Sequence, residues 1–233
     1  MRRSRCLLPA LTLLFAATAC QRDPAAPAAT AEATAPSAAS GPAAADAPAN
    51  GNLRWSNAVV WSGDLNSCRQ GEASATRECL VSAMRSAGAS ANAIAAAEQL
   101  SSGGELAFVS AWHEQDGVGV ATVTYPFRAN TNEGTRLIDA SGKRVDVDNV
   151  QLDDTLRADP GVQAALAADP QATPFAPAQA AGSTPLEGGG VRLLYRTPLR
   201  ECHACADVGT VQLGYDFDAQ RNFVGQQVVP ATP

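Results

Sequence analysis

The sequence predicts a single α+β domain at residues 51–233, with a mostly antiparallel sheet and a short N-terminal helical hairpin. Three observations lead to this fold class: two helical patterns precede the strands, alternating apolar segments follow one another, and turn signals separate them. Helices and strands that are segregated along a chain favour an α+β fold over alternating βαβ units. The segment is long enough for one sizeable core.

The two helical patterns lie at the start of the domain. Apolar residues recur at helical spacing over 74–85, and Gly88 marks a stop. Ser90 is suited to cap a second helix over 91–100, because its hydroxyl can accept a hydrogen bond from the first turn. The short connection between them predicts an αα-hairpin.

A strong β-hairpin signal follows at Asp116-Gly117. These residue types tolerate the positive φ angles of a type I′ turn, which joins adjacent antiparallel strands. The flanking segments 106–112 and 118–127 read as strands. Further strands are expected at 136–139 and 144–147, joined around Gly142, and at 191–196, 210–217 and 222–229.

Two segments between the strands carry different signals. Asp159-Pro160 predicts the start of a short helix that ends near residue 168, with Asp as the cap and Pro in the first turn. Residues 169–190 are rich in Pro, Ala and Gly and show no periodicity. A run of this length predicts a mobile loop or a binding lid.

Charge and composition exclude several functional classes. The formal net charge is −6 and the isoelectric point is near 4.9, whereas a general nucleic-acid binder needs a basic face for phosphates. No apolar run reaches the roughly 20 residues of a membrane-spanning helix, which argues against a polytopic membrane protein. With two histidines and no GxSxG, HExxH or P-loop motif, we expect no metal site and no cofactor, and we favour a non-enzymatic protein.

The N-terminus has the order of a secretory signal peptide. Basic residues at positions 2, 3 and 5 precede an apolar stretch over 6–15, and small residues lead to Cys20. The tetrapeptide Ala17-Thr18-Ala19-Cys20 resembles the lipobox of bacterial lipoproteins, although a Leu is usual where Ala17 stands. The alternative is an ordinary secretory signal that happens to be followed by a cysteine.

The lipobox resemblance implies that residues 1–19 are removed and that Cys20 carries the lipid. Cysteine suits this role because its thiolate is a good nucleophile for alkyl transfer. Several acyl chains, such as palmitate, anchor a protein stably where one chain binds only marginally. Gln21, rather than Asp, follows the cysteine. By resemblance to Gram-negative lipoproteins, this favours the periplasmic face of the outer membrane.

Residues 20–50 are expected to be a disordered tether between the lipid and the domain. The stretch 21–50 contains 14 Ala and 5 Pro, with no aromatic or large aliphatic residue. Such a segment buries too little apolar surface to fold, and its prolines interrupt every candidate helix. As a coil, its 30 residues would span about 30 Å.

Of the six cysteines, four would remain unmodified in the mature chain: Cys68, Cys79, Cys202 and Cys205. An even number in an exported chain predicts disulfides. Three pairings are compatible with four cysteines, and the two local bonds, Cys68–Cys79 and Cys202–Cys205, form one of them. A bond between Cys68, in a polar loop, and Cys79, on the first helix, would contribute roughly 2–3 kcal/mol.

The CHAC motif at 202–205 is compatible with several roles. A c-type haem site is excluded, because Ala206 stands where that motif has His. A thioredoxin-like pair lies at a helix N-terminus, whereas a strand is expected to follow here. We favour a structural disulfide. A redox-active pair modulated by His203, or a zinc site that recruits Cys68, Cys79 or His113, is the alternative.

The C-terminal part of the chain carries a second resemblance. From the CHAC motif through the hairpin around Tyr215-Asp216-Phe217-Asp218, it is similar to a group of uncharacterised bacterial envelope proteins that share a terminal CHAC. This resemblance implies an envelope setting and no particular activity.

Three other candidate sites have simpler explanations. The alternating oxygens of 216–222 suggest a calcium loop, but Arg221 replaces the required Gly and Gln227 replaces the required Glu, so a polar hairpin turn is favoured. His113 is interpreted as an exposed residue rather than a general base. The acidic set is interpreted as a solvated edge rather than a cation site: Asp146, Asp148, Asp153 and Asp154.

Together these features predict a membrane-tethered periplasmic lipoprotein that acts as a non-enzymatic binding or structural module of the envelope. Its partner would be an envelope protein, peptidoglycan or a small ligand, and not nucleic acid. The 169–190 loop and the exposed sheet face are the expected recognition surface. The alternatives are a thiol–disulfide redox protein that uses Cys202 and Cys205, and an inhibitor of an envelope hydrolase.

Overall fold

The structure is a computed structural model that describes residues 53–69 and 76–230. Several predictions fall outside these residues: the signal peptide, lipidation at Cys20, the tether, and the start of the first helix at residue 74. Among the helices described, none has the length and apolar character needed to cross a membrane.

Short helices open the domain, as predicted. Thr76 and Ser90 cap the two main helices by accepting hydrogen bonds from Cys79 N and Ala93 N, and Gly88, at φ 73°, follows the first of them. The predicted αα-hairpin is therefore confirmed, preceded by a short helix that the sequence did not predict. The bounds are α1 Asn66–Arg69, α2 Arg77–Ser86 and α3 Ala91–Leu100.

The first sheet is an antiparallel meander of four strands in chain order. The predicted hairpin at Asp116-Gly117 is confirmed, with φ angles of 52° and 81°. The first strand begins at residue 108 rather than at the expected residue 106. It continues past the expected end at residue 112 to Gln115, because its ladder with the next strand runs up to this turn. The strands are β1 Phe108–Gln115, β2 Val118–Thr124, β3 Glu133–Ile138 and β4 Arg144–Asp146.

Two short helices connect the sheets. The predicted helix begins at Pro160, and Asp159 caps it by accepting hydrogen bonds from Gly161 N and Val162 N. A single helical turn capped by Asp153 precedes it. The sequence did not predict this turn, because its acidic residues were interpreted as a solvated edge. These helices are α4 Asp154–Arg157 and α5 Pro160–Ala168.

The second sheet has five antiparallel strands. The order is β5-β7-β8-β9, and β6 pairs with the same edge of β7 as β5 does. The three predicted C-terminal strands are confirmed as β7, β8 and β9. The strands are β5 Thr173–Pro174, β6 Gln179–Pro185, β7 Val191–Arg200, β8 Gly209–Phe217 and β9 Phe223–Val228.

The prediction of a mobile loop or lid at 169–190 is wrong. Residues 179–185 pair antiparallel with 191–196 as an edge strand, with one register shift between Ala180 and Ser183, and Phe175 N donates to Pro198 O at 2.9 Å. Most side chains of β6 are exposed, so no apolar alternation marks it. Ladder hydrogen bonds hold this strand, and side-chain periodicity cannot detect them.

The first sheet is the middle layer of three. One of its faces packs against the second sheet and α5, through residues such as Val120, Leu137, Leu193 and Phe217. Its other face, including Val109, Ala121 and Ile138, packs on Trp55, Val59 and Ala96 from the helical side. Both faces of β2 are therefore buried. The helical layer and the two antiparallel sheets agree with the predicted α+β class. The turns at the sheet ends lie outside this core and are available for function.

Candidate functional site

The CHAC motif forms an exposed turn between β7 and β8. Cys202 and Cys205 are joined by a disulfide, with Cα atoms 5.0 Å apart. Cys202 and His203 are exposed, and Cys205 is partly buried. A strand follows the motif, as predicted, so the thiols lack the helix N-terminus of a thioredoxin-like site.

Arg200 supports this turn from the end of β7. Its Nη2 lies 2.6 Å from the Asp207 carboxylate, and its Nη1 donates to the His203 carbonyl at 3.3 Å. The guanidinium stands over the Phe175 ring at 5.4 Å, and the His203 ring centroid lies 5.7 Å from the same ring. The turn therefore has contacts that do not depend on the disulfide.

The second disulfide has a different setting. Cys68 and Cys79 link α1 to α2, and their Cα atoms are 5.8 Å apart. Cys68 is 1% exposed and packs with Trp61, Leu80 and Met84. The prediction that Cys68 lies in a polar loop is therefore wrong. Both local disulfides are present, which removes the cysteine ligands of the zinc alternative. Within the described ranges, no three His, Cys, Asp or Glu side chains group as metal ligands would.

A cleft of about 430 Å³ lies where three turns of the two sheets meet the segment 53–55. The turns are those between β1 and β2, between β3 and β4, and between β8 and β9. Because Trp112 forms one wall, we call it the tryptophan cleft. Its lining includes Arg54, Trp55, Trp112, Glu114, Asp139, Ser141, Gln220 and Arg221.

The Trp112 side chain lies across the backbone of Gly119. A Cβ at position 119 would stand 2.2 Å from the indole ring, so only glycine permits this approach. Trp112 is partly exposed, whereas Trp55 is 5% exposed and packs beneath the cleft. The sequence reasoning missed this wall, although a glycine inside a strand, diagonally opposite a tryptophan, is a signal of close approach.

Asp139 fixes the floor of the cleft. The residue is 7% exposed, and its carboxylate accepts hydrogen bonds from the backbone N–H groups of Ser141 and Lys143, both at 2.8 Å, and of Phe223 at 3.1 Å. Burial alone would raise the pKa of Asp139, but these bonds and that from the Ser141 hydroxyl hold it below its usual value. One carboxylate thus joins the β3–β4 turn to β9.

Arg221 ties the other turns together. Its Nε donates to the Asp116 carbonyl at 2.6 Å, and its Nη1 donates to the Gly189 carbonyl at 2.9 Å. This places one guanidinium between the β1–β2 turn and the segment before β7. The calcium-loop interpretation of 216–222 therefore stays unsupported, because Arg221 crosses to a neighbouring turn and Asp216 pairs with Arg192 at 2.6 Å.

The rim of the cleft differs from its floor. Arg54, Glu114 and Gln220 are exposed, and their side chains have no hydrogen-bond partner among residues 53–69 and 76–230. The rim thus presents a cation, a carboxylate and an amide beside the indole of Trp112. This combination can donate and accept hydrogen bonds around a ligand that covers the aromatic face.

The other predicted residues do not form a site. His113 is exposed on β1, opposite Val120. The four acidic residues separate by role: Asp146 pairs with Arg136 at 2.6 Å, Asp153 caps α4, and Asp154 lies in its first turn. Asp148 accepts from the N–H groups of Thr135 and Ala178, and burial raises its pKa.

Comparisons with known proteins leave the family open. No family model, no curated protein and no solved structure matches the chain.

Proposed function

We propose that this protein is a lipid-anchored, non-enzymatic binding module of the bacterial envelope, with the tryptophan cleft as its ligand site. The lipobox-like sequence ending at Cys20 supports the anchor. The tether that follows would hold the domain off the membrane, by about 30 Å as a coil. The cleft supplies a concave, partly aromatic surface, which is typical of ligand sites.

The observation that carries the binding proposal is the division between floor and rim. Asp139 and Arg221 hold the turns through hydrogen bonds to backbone groups, while Arg54, Glu114 and Gln220 project around the cleft. A framework that is already ordered loses little conformational entropy when a ligand binds. The rim groups can then contribute hydrogen bonds to the ligand.

The cleft chemistry favours a sugar ring. A pyranose has an apolar C–H face that can lie on the Trp112 indole, and hydroxyl groups at its edge that both donate and accept. The rim offers partners for both kinds of hydrogen bond: Arg54 can donate to a hydroxyl, Glu114 can accept from one, and Gln220 can do both. Peptidoglycan is the saccharide polymer of the compartment to which the signal would direct this chain, and it is therefore the proposed ligand.

The carboxylates of the cleft favour binding over hydrolysis. Glycosidases use two opposed carboxyl groups, and the general acid needs a raised pKa. The two carboxylates that line the cleft are Glu114 and Asp139. The hydrogen bonds to Asp139 lower its pKa and engage both of its oxygens, which is unsuitable for a proton donor.

The test uses mature lipidated protein in detergent, mixed with purified peptidoglycan sacculi and sedimented. Trp112→Ala is expected to weaken retention about tenfold, because it removes the aromatic wall. His113→Ala is the matched control, since this exposed neighbour does not line the cleft, and it should bind like wild type. Failure of wild-type protein to sediment would reject peptidoglycan as ligand, and undiminished binding by Trp112→Ala would reject the cleft.

A separate test addresses the anchor. Cys20→Ala is expected to abolish acylation, so that the membrane fraction loses the protein and mass spectrometry finds no added fatty acid. Cys6→Ala is the matched control, because this cysteine lies in the part of the signal that is removed. A Cys20→Ala protein that keeps its lipid mass would overturn the lipoprotein proposal and leave the cleft proposal untouched.

A further inference from the structure

The geometry points to Cys202–Cys205 as a second functional site: a disulfide that exchanges with a pair of thiols on a partner protein. This inference concerns the turn between β7 and β8 and does not depend on the tryptophan cleft. It rests on three observations, namely the exposure of the motif, the small size of the ring, and the contacts that hold the turn without the bond.

Exposure makes the bond open to attack. Thiol–disulfide exchange requires a thiolate to reach one sulfur of the bond, so access decides which disulfides react. Cys202 and its neighbours on both sides, Glu201 and His203, are exposed, while Cys205 is partly buried. An incoming thiolate therefore meets Cys202 first, and Cys205 is the leaving group.

The ring that this bond closes is small. The two cysteines are separated by 3 positions, against 11 for Cys68 and Cys79. The stabilisation that a disulfide gives grows with the length of the ring it closes. Cys202–Cys205 therefore contributes less to the fold than the buried disulfide does, and it can open with a smaller effect on stability.

The turn keeps other contacts when the bond opens. Cys205 N donates to the Cys202 carbonyl at 3.1 Å, and Arg200 holds both Asp207 and the His203 carbonyl. Phe175, in the segment that pairs with β7, packs on the His203 ring.

The exchange balances within the two proteins. A partner thiolate attacks Sγ of Cys202, the Cys202–Cys205 bond breaks, and Cys205 leaves as a thiolate, which gives a mixed disulfide. The partner's second thiolate then attacks its own sulfur in that bond and releases Cys202. The partner dithiol is oxidised to a disulfide and gives up two electrons and two protons, and Cys202 and Cys205 take them up as thiols.

The first experiment treats the full mature protein with dithiothreitol under native conditions, then alkylates it and analyses the peptides by mass. Cys202 and Cys205 are expected to be modified at a dithiothreitol concentration that leaves Cys68 and Cys79 bonded. Tryptophan fluorescence should stay unchanged and report an intact fold. If Cys202–Cys205 resists reduction until Cys68–Cys79 opens, the inference is wrong.

The second experiment measures oxidation of a reduced dithiol peptide. One equivalent of peptide disulfide per wild-type protein is expected, and the Cys202→Ser/Cys205→Ser variant should form at least about tenfold less. With the oxidised, disulfide form of the peptide, the exchange runs in reverse: Cys202 of the Cys205→Ser variant should attack the peptide disulfide, displace one peptide thiolate and stay bonded to the other peptide sulfur as a mixed disulfide. Cys202→Ser, which leaves the less accessible sulfur, should trap less. Equal oxidation by wild type and the double variant would overturn the inference.

Discussion

The two disulfides of this domain join cysteines in opposite settings. Cys68–Cys79 closes the longer ring, and Cys68 is 1% exposed inside a cluster of apolar side chains. Cys202–Cys205 closes a short ring at an exposed turn that Arg200 and backbone hydrogen bonds already support. The same covalent bond therefore stabilises the fold in one region and is accessible for chemistry in the other.

The largest effect is expected from removing the buried disulfide. The Cys68→Ala/Cys79→Ala variant should lose about 3 kcal/mol of unfolding free energy, because the unfolded chain regains the freedom of the longer ring and the core loses packing. Urea denaturation followed by tryptophan fluorescence measures the loss. A loss below about 1 kcal/mol would show that the helical region does not depend on its cross-link.

Asp139 extends the comparison to a turn that is held without a covalent bond. Asp139→Asn should cost about 2 kcal/mol at neutral pH, because an amide N–H₂ replaces one of the carboxylate oxygens that accept backbone N–H groups. The exposed Glu187 provides the control, since Glu187→Gln removes the same charge with little expected change. Urea midpoints of the two variants give the difference.

The same residue predicts a pH dependence of stability. The pKa of Asp139 is lower in the folded chain than its usual value, so its contribution is complete above about pH 4 and is lost as the pH falls through the folded pKa. The urea midpoint of wild type should therefore drop between pH 7 and pH 3 by more than that of Asp139→Asn. Parallel curves for the two proteins would contradict this assignment.

The elements that sequence reasoning predicted are those with local signals. Asp116-Gly117 specifies its own turn, and Ser90 caps a helix that lies immediately after it. The two disulfides could also be proposed from the sequence, because each joins cysteines that are close along the chain. β6 was missed because ladder bonds to β7, rather than its own apolar pattern, hold it in place.

The tryptophan cleft could not be predicted for a related reason. Asp139 meets the backbone of Phe223 across 84 positions of sequence, and Arg221 meets Asp116 across 105. No spacing rule connects residues that only the packing of two sheets brings together. The proposed exchange site at 202–205 was visible in the sequence as a CHAC motif. The contacts of Phe175 and Arg200 with this turn required the structure.

The smallest effect is expected from removing the exposed disulfide. Cys202→Ala/Cys205→Ala should cost about 1.5 kcal/mol or less, because residues so close in sequence stay near each other even in the unfolded chain. Arg200→Gln, which removes a partly exposed ion pair, should cost about 1 kcal/mol or less. Because each support remains when the other is lost, the combined variant should lose more than the two losses added together, as groups that share one structure do. Urea denaturation of all four proteins measures this coupling. Strict additivity would mean that the two supports act independently, and a disulfide loss as large as that of the buried pair would mean that the turn depends on its covalent bond.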